Sequence, residues 1–189
     1  LAKGIRERRW LPWGAFMAGL SIGIRSQAMW LTIPLVLLTM VWQRCAGMWW
    51  LLSRPVAALA AGGVAWAVPL VVASGGVDAY MRALGTQAQL DFAGVDMVWL
   101  NPTPRRLALS LYETFVLPWA TVPLAVVIAL AALAGVVVLL LRGRQALGVL
   151  LVTFGPYAIF HLLLQETVTV RYALPLVPPI AWLAARGIS

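Results

Sequence analysis

Charge is scarce in this chain, and acid is scarcest, with six Asp and Glu among 189 residues against fourteen Lys and Arg. Charged residues make up 11% of the sequence and hydrophobic ones 62%, where soluble domains carry about 25% and about 45–50%. A water-soluble globule cannot bury so much apolar side chain, so a soluble domain is excluded. Cysteine is limited to Cys45, which rules out an internal disulfide and a cysteine-built zinc site. The chain also lacks a Walker loop, a G-x-S-x-G turn, an H-E-x-x-H helix and a dinucleotide fingerprint. No metal and no cofactor is expected.

What fills the space is a series of apolar runs in membrane-spanning lengths. The expected fold is all-α, a polytopic transmembrane helix bundle forming one membrane domain over residues 1–189, with a short-helix hairpin and a polar loop carrying short helices. The cations sit in the connections: Lys3, Arg6, Arg8 and Arg9 before the first run, Arg44 and Arg54 around the second connection, Arg142 and Arg144 in the third, and Arg186 after the last run. Short basic connections stay cytoplasmic under the positive-inside rule. The net charge of +8 therefore speaks for topology and against nucleic acid as a partner. The chain opens on Leu1 inside a basic stretch, with no cleavable leader pattern, and is expected to be a fragment of a longer membrane protein.

The first run, residues 11–42, is interrupted by one polar knot, Arg25-Ser26-Gln27. Its arms, about Leu11–Ile24 and Ala28–Trp42, are each shorter than the roughly 20 residues a spanning helix needs. Cations at both ends favour two short helices meeting near the far leaflet over one interrupted crossing. An arginine at bilayer depth costs about 2.5–3.5 kcal/mol on insertion scales, so Arg25 must face protein, water or an anion, or satisfy helix-end carbonyls. Spanning helices are expected at 55–74, 119–141, 146–164 and 172–185. Between the first two lies a polar loop, 77–106, opposite the basic connections and hence periplasmic. Its first part, Val77–Leu90, has helical spacing. Pro118 and Pro123 divide an interfacial helix over Leu107–Val116 from the next span. Met48, Trp49 and Trp50, with Trp10, Trp13, Trp30 and Trp99, read as interface anchors.

A second polar knot runs from His161 to Tyr172. His161 and Gln165 are four apart and share a helix face, and Glu166, Arg171 and Tyr172 follow in one short turn. A guanidinium there can take a phosphate with forked hydrogen bonds. The plainer alternative is a Glu166–Arg171 ion pair closing a loop, with His161 bonded to a nearby carbonyl. Asp91 and Asp96 read as solvated loop carboxylates.

Two segments resemble a known family. Gly19–Leu38, GLSIGIRSQAMWLTIPLVLL, and Gln165–Ile188, QETVTVRYALPLVPPIAWLAARGI, are similar in order and separation to motifs of polytopic C-type membrane glycosyltransferases. That group includes the dolichyl-phosphate-mannose protein mannosyltransferase-like and aminoarabinose-transferase-like proteins. The resemblance implies an inner-membrane enzyme of the bacterial cell envelope that takes a sugar from a polyprenyl phosphate at the periplasmic face, for an unspecified acceptor. It implies lipid-phosphate binding by Arg25 and Arg171, with Gln27, His161, Gln165, Glu166 and Tyr172 lining the site. The family's catalytic carboxylate lies on a first periplasmic loop with no counterpart in this sequence, and Asp91 and Asp96 are not at its position. An anion-binding transporter or flippase subunit and a non-catalytic membrane scaffold are the competing expectations.

Overall fold

The computed structural model describes residues 8–44, 53–92 and 97–188, which are helical with no strand among them. Cys45, Met48, Trp49, Trp50 and Asp96 lie outside the described residues. The chain forms two compact units, Leu1–Gly94 and Val95–Ser189, each of which is described by itself.

In the first unit, α1 (Leu11–Ile24) and α2 (Met29–Arg44) are separated by Arg25 and a 3-10 turn, Ser26–Ala28. Arg25 breaks the helix by going extended, with φ −151° and ψ 111°. The chain then folds back so that Val36 and Met40 of α2 pack against Ala15 and Ala18 of α1. The third helix, α3 (Ser53–Ala73), lies along α1 through a mutual glycine crossing. A Cβ on Gly19 would strike the Leu59 carbonyl, and one on Gly62 would strike the Phe16 carbonyl. Small residues of this kind let helix backbones approach where lipid supplies no hydrophobic push. One turn further on, the Trp66 ring covers Gly23, and its Nε1 donates to the Gly19 carbonyl at 3.1 Å. Gly75 and Gly76, with φ of 86° and 103°, take left-handed conformations that side chains resist. They end α3 and start α4 (Val77–Phe92), which carries Asp78 in its first turn, where a carboxylate suits the helix dipole.

The second unit begins with α5 (Pro104–Phe115). Thr103 caps it, its hydroxyl accepting from the Arg106 N–H at 3.2 Å, and Pro104 sits where a missing N–H does no harm. Pro118 lies in a 3-10 turn, Leu117–Trp119, and α6 (Val122–Arg142) follows. Gly143 turns the chain into α7 (Arg144–Leu164). The last helix is α8 (Val177–Ile188). Here too two helices, α6 and α8, cross through glycines: a Cβ on Gly135 would strike the Leu183 carbonyl, and one on Gly187 the Ala131 carbonyl. Ala132 and Leu139 of α6, Leu147 of α7, and Leu183 and Ala184 of α8 form the apolar core beside this crossing.

Three helices, α3, α6 and α7, are each 21 residues long and apolar enough to cross a membrane. The segment 172–185, expected as a fourth span, differs. Val170–Tyr172 and Leu174–Leu176 are 3-10 turns, and only twelve residues of α-helix follow. Twelve residues rise about 18 Å, against a hydrocarbon core of about 30 Å. Pro175 lies in the second of these 3-10 turns, and Pro178 and Pro179 stand in the first turn of α8, where a missing N–H does no harm. Hydroxyls within the apolar helices bond their own backbone: Ser21 to the Ala18 carbonyl at 2.7 Å, Thr32 to Ala28 at 2.8 Å and Thr153 to Val149 at 2.7 Å.

Candidate functional site

The polar centre of the second unit is built around α5. Arg106, Ser110, Glu113 and Thr114 recur at i, i+4, i+7 and i+8, so they share one helical face. All four are buried, as are His161, Gln165 and Thr167. Meanwhile Leu107, Leu109, Leu111 and Tyr112, on the rest of the helix, are exposed. The helix is thus inside out by the standards of a soluble protein.

Two hydrogen-bonded groups hold that face. In the first, His161 Nδ1 lies 3.0 Å from Gln165 Oε1 and Nε2 lies 3.1 Å from Thr114 Oγ1. An amide oxygen can only accept, so Nδ1 carries a proton, and in the neutral ring the bare Nε2 accepts from the Thr114 hydroxyl. Both ring nitrogens are engaged, leaving none for a metal ion. The Tyr157 ring is parallel to the imidazole with centroids 6.2 Å apart, and its hydroxyl donates to the Tyr172 carbonyl at 2.6 Å.

In the second group, the Thr167 hydroxyl donates to Glu113 Oε2. Its oxygen is also 3.2 Å from Ser110 Oγ. A hydroxyl has one proton to give, so Ser110 donates to Thr167 and Thr167 to the carboxylate, in one direction. Arg106 Nη1 stands 4.0 Å from the same Glu113 oxygen, which supplies the opposing charge a buried carboxylate requires. The backbone closes the structure: the Trp99 N–H donates to the Leu163 carbonyl at 3.0 Å, satisfying one of the open carbonyls in the last turn of α7.

The residues singled out in the sequence are distributed as follows. His161 and Gln165 are bonded to each other inside this centre. Glu166 is half-buried and accepts from Thr169 Oγ1 at 3.4 Å, rather than pairing with Arg171. Arg171 is exposed. Its guanidinium carbon lies 5.2 Å from the centroid of the Tyr172 ring, and Nη2 is 3.4 Å from the Tyr172 hydroxyl. That geometry keeps the guanidinium extended over an aromatic face. Arg25 and Gln27 belong to the first unit. Arg25 is exposed at the break between α1 and α2, and its Nε donates to Gln27 Oε1 at 2.8 Å, which fixes the direction of the fork. Asp91 falls within α4, not in a loop.

Sequence reasoning missed Arg106, Ser110, Glu113, Thr114 and Thr167. The signal was present in the helical spacing of the first four. What they face is a tertiary fact, and polar residues at that spacing otherwise mark the wet side of a helix. No protein-family model, curated protein or solved structure matches this chain.

Proposed function

We propose that this chain is part of the membrane domain of a glycosyltransferase that moves a sugar from a polyprenyl-phosphate donor to an acceptor at the periplasmic face of a bacterial inner membrane. The observation that carries the reading is Arg25: an exposed guanidinium at a break between two short apolar helices, its direction set by Gln27. The sequence patterns around Arg25 and Arg171 support it. Displacement at the anomeric carbon leaves a lipid phosphate, and a positioned arginine stabilises that leaving group as negative charge builds on it. The resemblance also assigns a lipid-phosphate contact to Arg171, whose guanidinium lies over the Tyr172 ring. No carboxylate of residues 1–189 is assigned as the general base that deprotonates the acceptor hydroxyl.

The test is transfer from a radiolabelled polyprenyl-phosphate sugar in membranes containing the intact protein that carries this chain. Arg25→Ala should abolish transfer with membrane insertion unchanged, and Arg25→Lys should keep a part of it if charge alone suffices. Wild-type rates in Arg25→Ala would remove Arg25 from the site and end this reading.

A second reading, an anion-binding transporter subunit, is favoured by one observation. Both units contain a helix, a returning helix and a third helix crossed on the first through paired glycines, and repeated units are common in transporters. Counterflow of a labelled anionic lipid or sugar phosphate in proteoliposomes, with no sugar transfer, would decide for it.

A further inference from the structure

We infer that the helix Pro104–Phe115 is sunk in the hydrocarbon of the bilayer, with lipid acyl chains as the partner of its leucine face. This inference stands apart from the glycosyltransferase reading and holds whatever chemistry the chain performs.

Polarity on α5 is reversed around its circumference. Arg106 is 6% exposed and Glu113 9%, while Leu107 and Leu111 are 44% and 41% exposed. In water this arrangement is doubly unfavourable, since it removes charges from solvent and leaves apolar area in it. A helix lying on a membrane surface buries its apolar face in lipid and shows its polar face to water. The polar face of α5 is instead covered by protein, through Thr114 on His161 and Glu113 on Thr167. No aqueous phase is required on either side. Acyl chains are the solvent that suits leucine on the outside and hydrogen-bonded polar groups on the inside.

Exposed apolar residues also run on along the chain into a candidate membrane span. From Leu111 and Tyr112 it passes through Leu117 to Val122, Leu124, Val126 and Leu130 of α6, all of them exposed, and α6 is long and apolar enough to cross a bilayer. At about 18 Å, α5 enters the membrane without crossing it. The exposed Arg105, at its beginning, is long enough to reach the headgroups while its stem stays in lipid.

Nitroxide labelling tests this directly. In a background with Cys45→Ser and every other cysteine of the intact protein replaced by serine, single substitutions Leu107→Cys, Leu109→Cys and Leu111→Cys are labelled and reconstituted into vesicles of phosphatidylcholine and phosphatidylglycerol. Leu130→Cys on α6 is the lipid-facing reference. Collision rates with oxygen, which partitions into lipid, and with a water-soluble nickel chelate are compared. The expected result is oxygen accessibility at all three sites comparable to Leu130, with little nickel contact. Nickel contact exceeding oxygen contact would place α5 at a wet surface and overturn the inference. Low collision with both reagents would show that another protein segment covers the leucine face, and would overturn it equally.

Discussion

Thr114 Oγ1 lies 3.1 Å from His161 Nε2, joining residues 47 apart in the chain. This contact and the Thr167–Glu113 bond tie α5 to the end of α7 and to the segment that leads into Arg171. Thr114→Val keeps the shape of the side chain but removes its hydroxyl, leaving a buried ring nitrogen without its donor. The expected loss is about 1–3 kcal/mol, read as a lower midpoint of thermal unfolding in detergent. Thr114→Ser should recover most of it, and an unchanged midpoint in Thr114→Val would show that the hydroxyl contributes nothing.

Glu113 and Arg106 oppose each other with little solvent access. Removing one partner of a buried pair costs about 3–5 kcal/mol, whereas replacing both with apolar residues is often close to neutral. Glu113→Leu alone should therefore be more damaging than Glu113→Leu combined with Arg106→Met. Equal damage from the single and the double variant would mean that the two charges are not energetically coupled.

Gly62 and Gly63 are neighbours with opposite surroundings. A Cβ at Gly62 would collide with the Phe16 backbone, while nothing lies within 4 Å of one at Gly63. Gly62→Ala should separate α1 from α3, at a cost of about 1–3 kcal/mol or more. Gly63→Ala should be neutral or stabilising by about 0.5–1 kcal/mol, as expected for alanine over glycine within a helix. The comparison is made by thermal unfolding of the two variants side by side, and the reverse order would refute the crossing.

The features written along single segments were the legible ones. The break at Arg25 is marked by a polar triplet in an apolar run, and it falls between α1 and α2. The periodicity over Val77–Leu90 lies within α4, and Pro118 falls in the turn that separates α5 from α6. His161 and Gln165 were paired by their spacing, and they are hydrogen-bonded. What could not be read was which face of α5 meets protein, because Ser110, Glu113 and Thr114 find partners at 161 and 167, far outside any local window. The start of the tail was equally illegible: its apolar composition does not reveal that residues 170–172 and 174–176 take 3-10 turns before α8 begins at Val177.

The inward-facing charges of α5 also bear on the order in which the protein matures. Residues 104–115 leave the ribosome before 144–164, so Arg106 and Glu113 are synthesised before the threonine and histidine side that will shelter them exists. Until His161 and Thr167 arrive, a lone α5 in hydrocarbon would expose those charges to lipid, at a cost of several kcal/mol for each. With α5 in lipid as inferred above, the segment is expected to wait in the aqueous or headgroup layer until α7 has been inserted. The expected outcome is that a chain truncated before His161 leaves α5 outside the hydrocarbon.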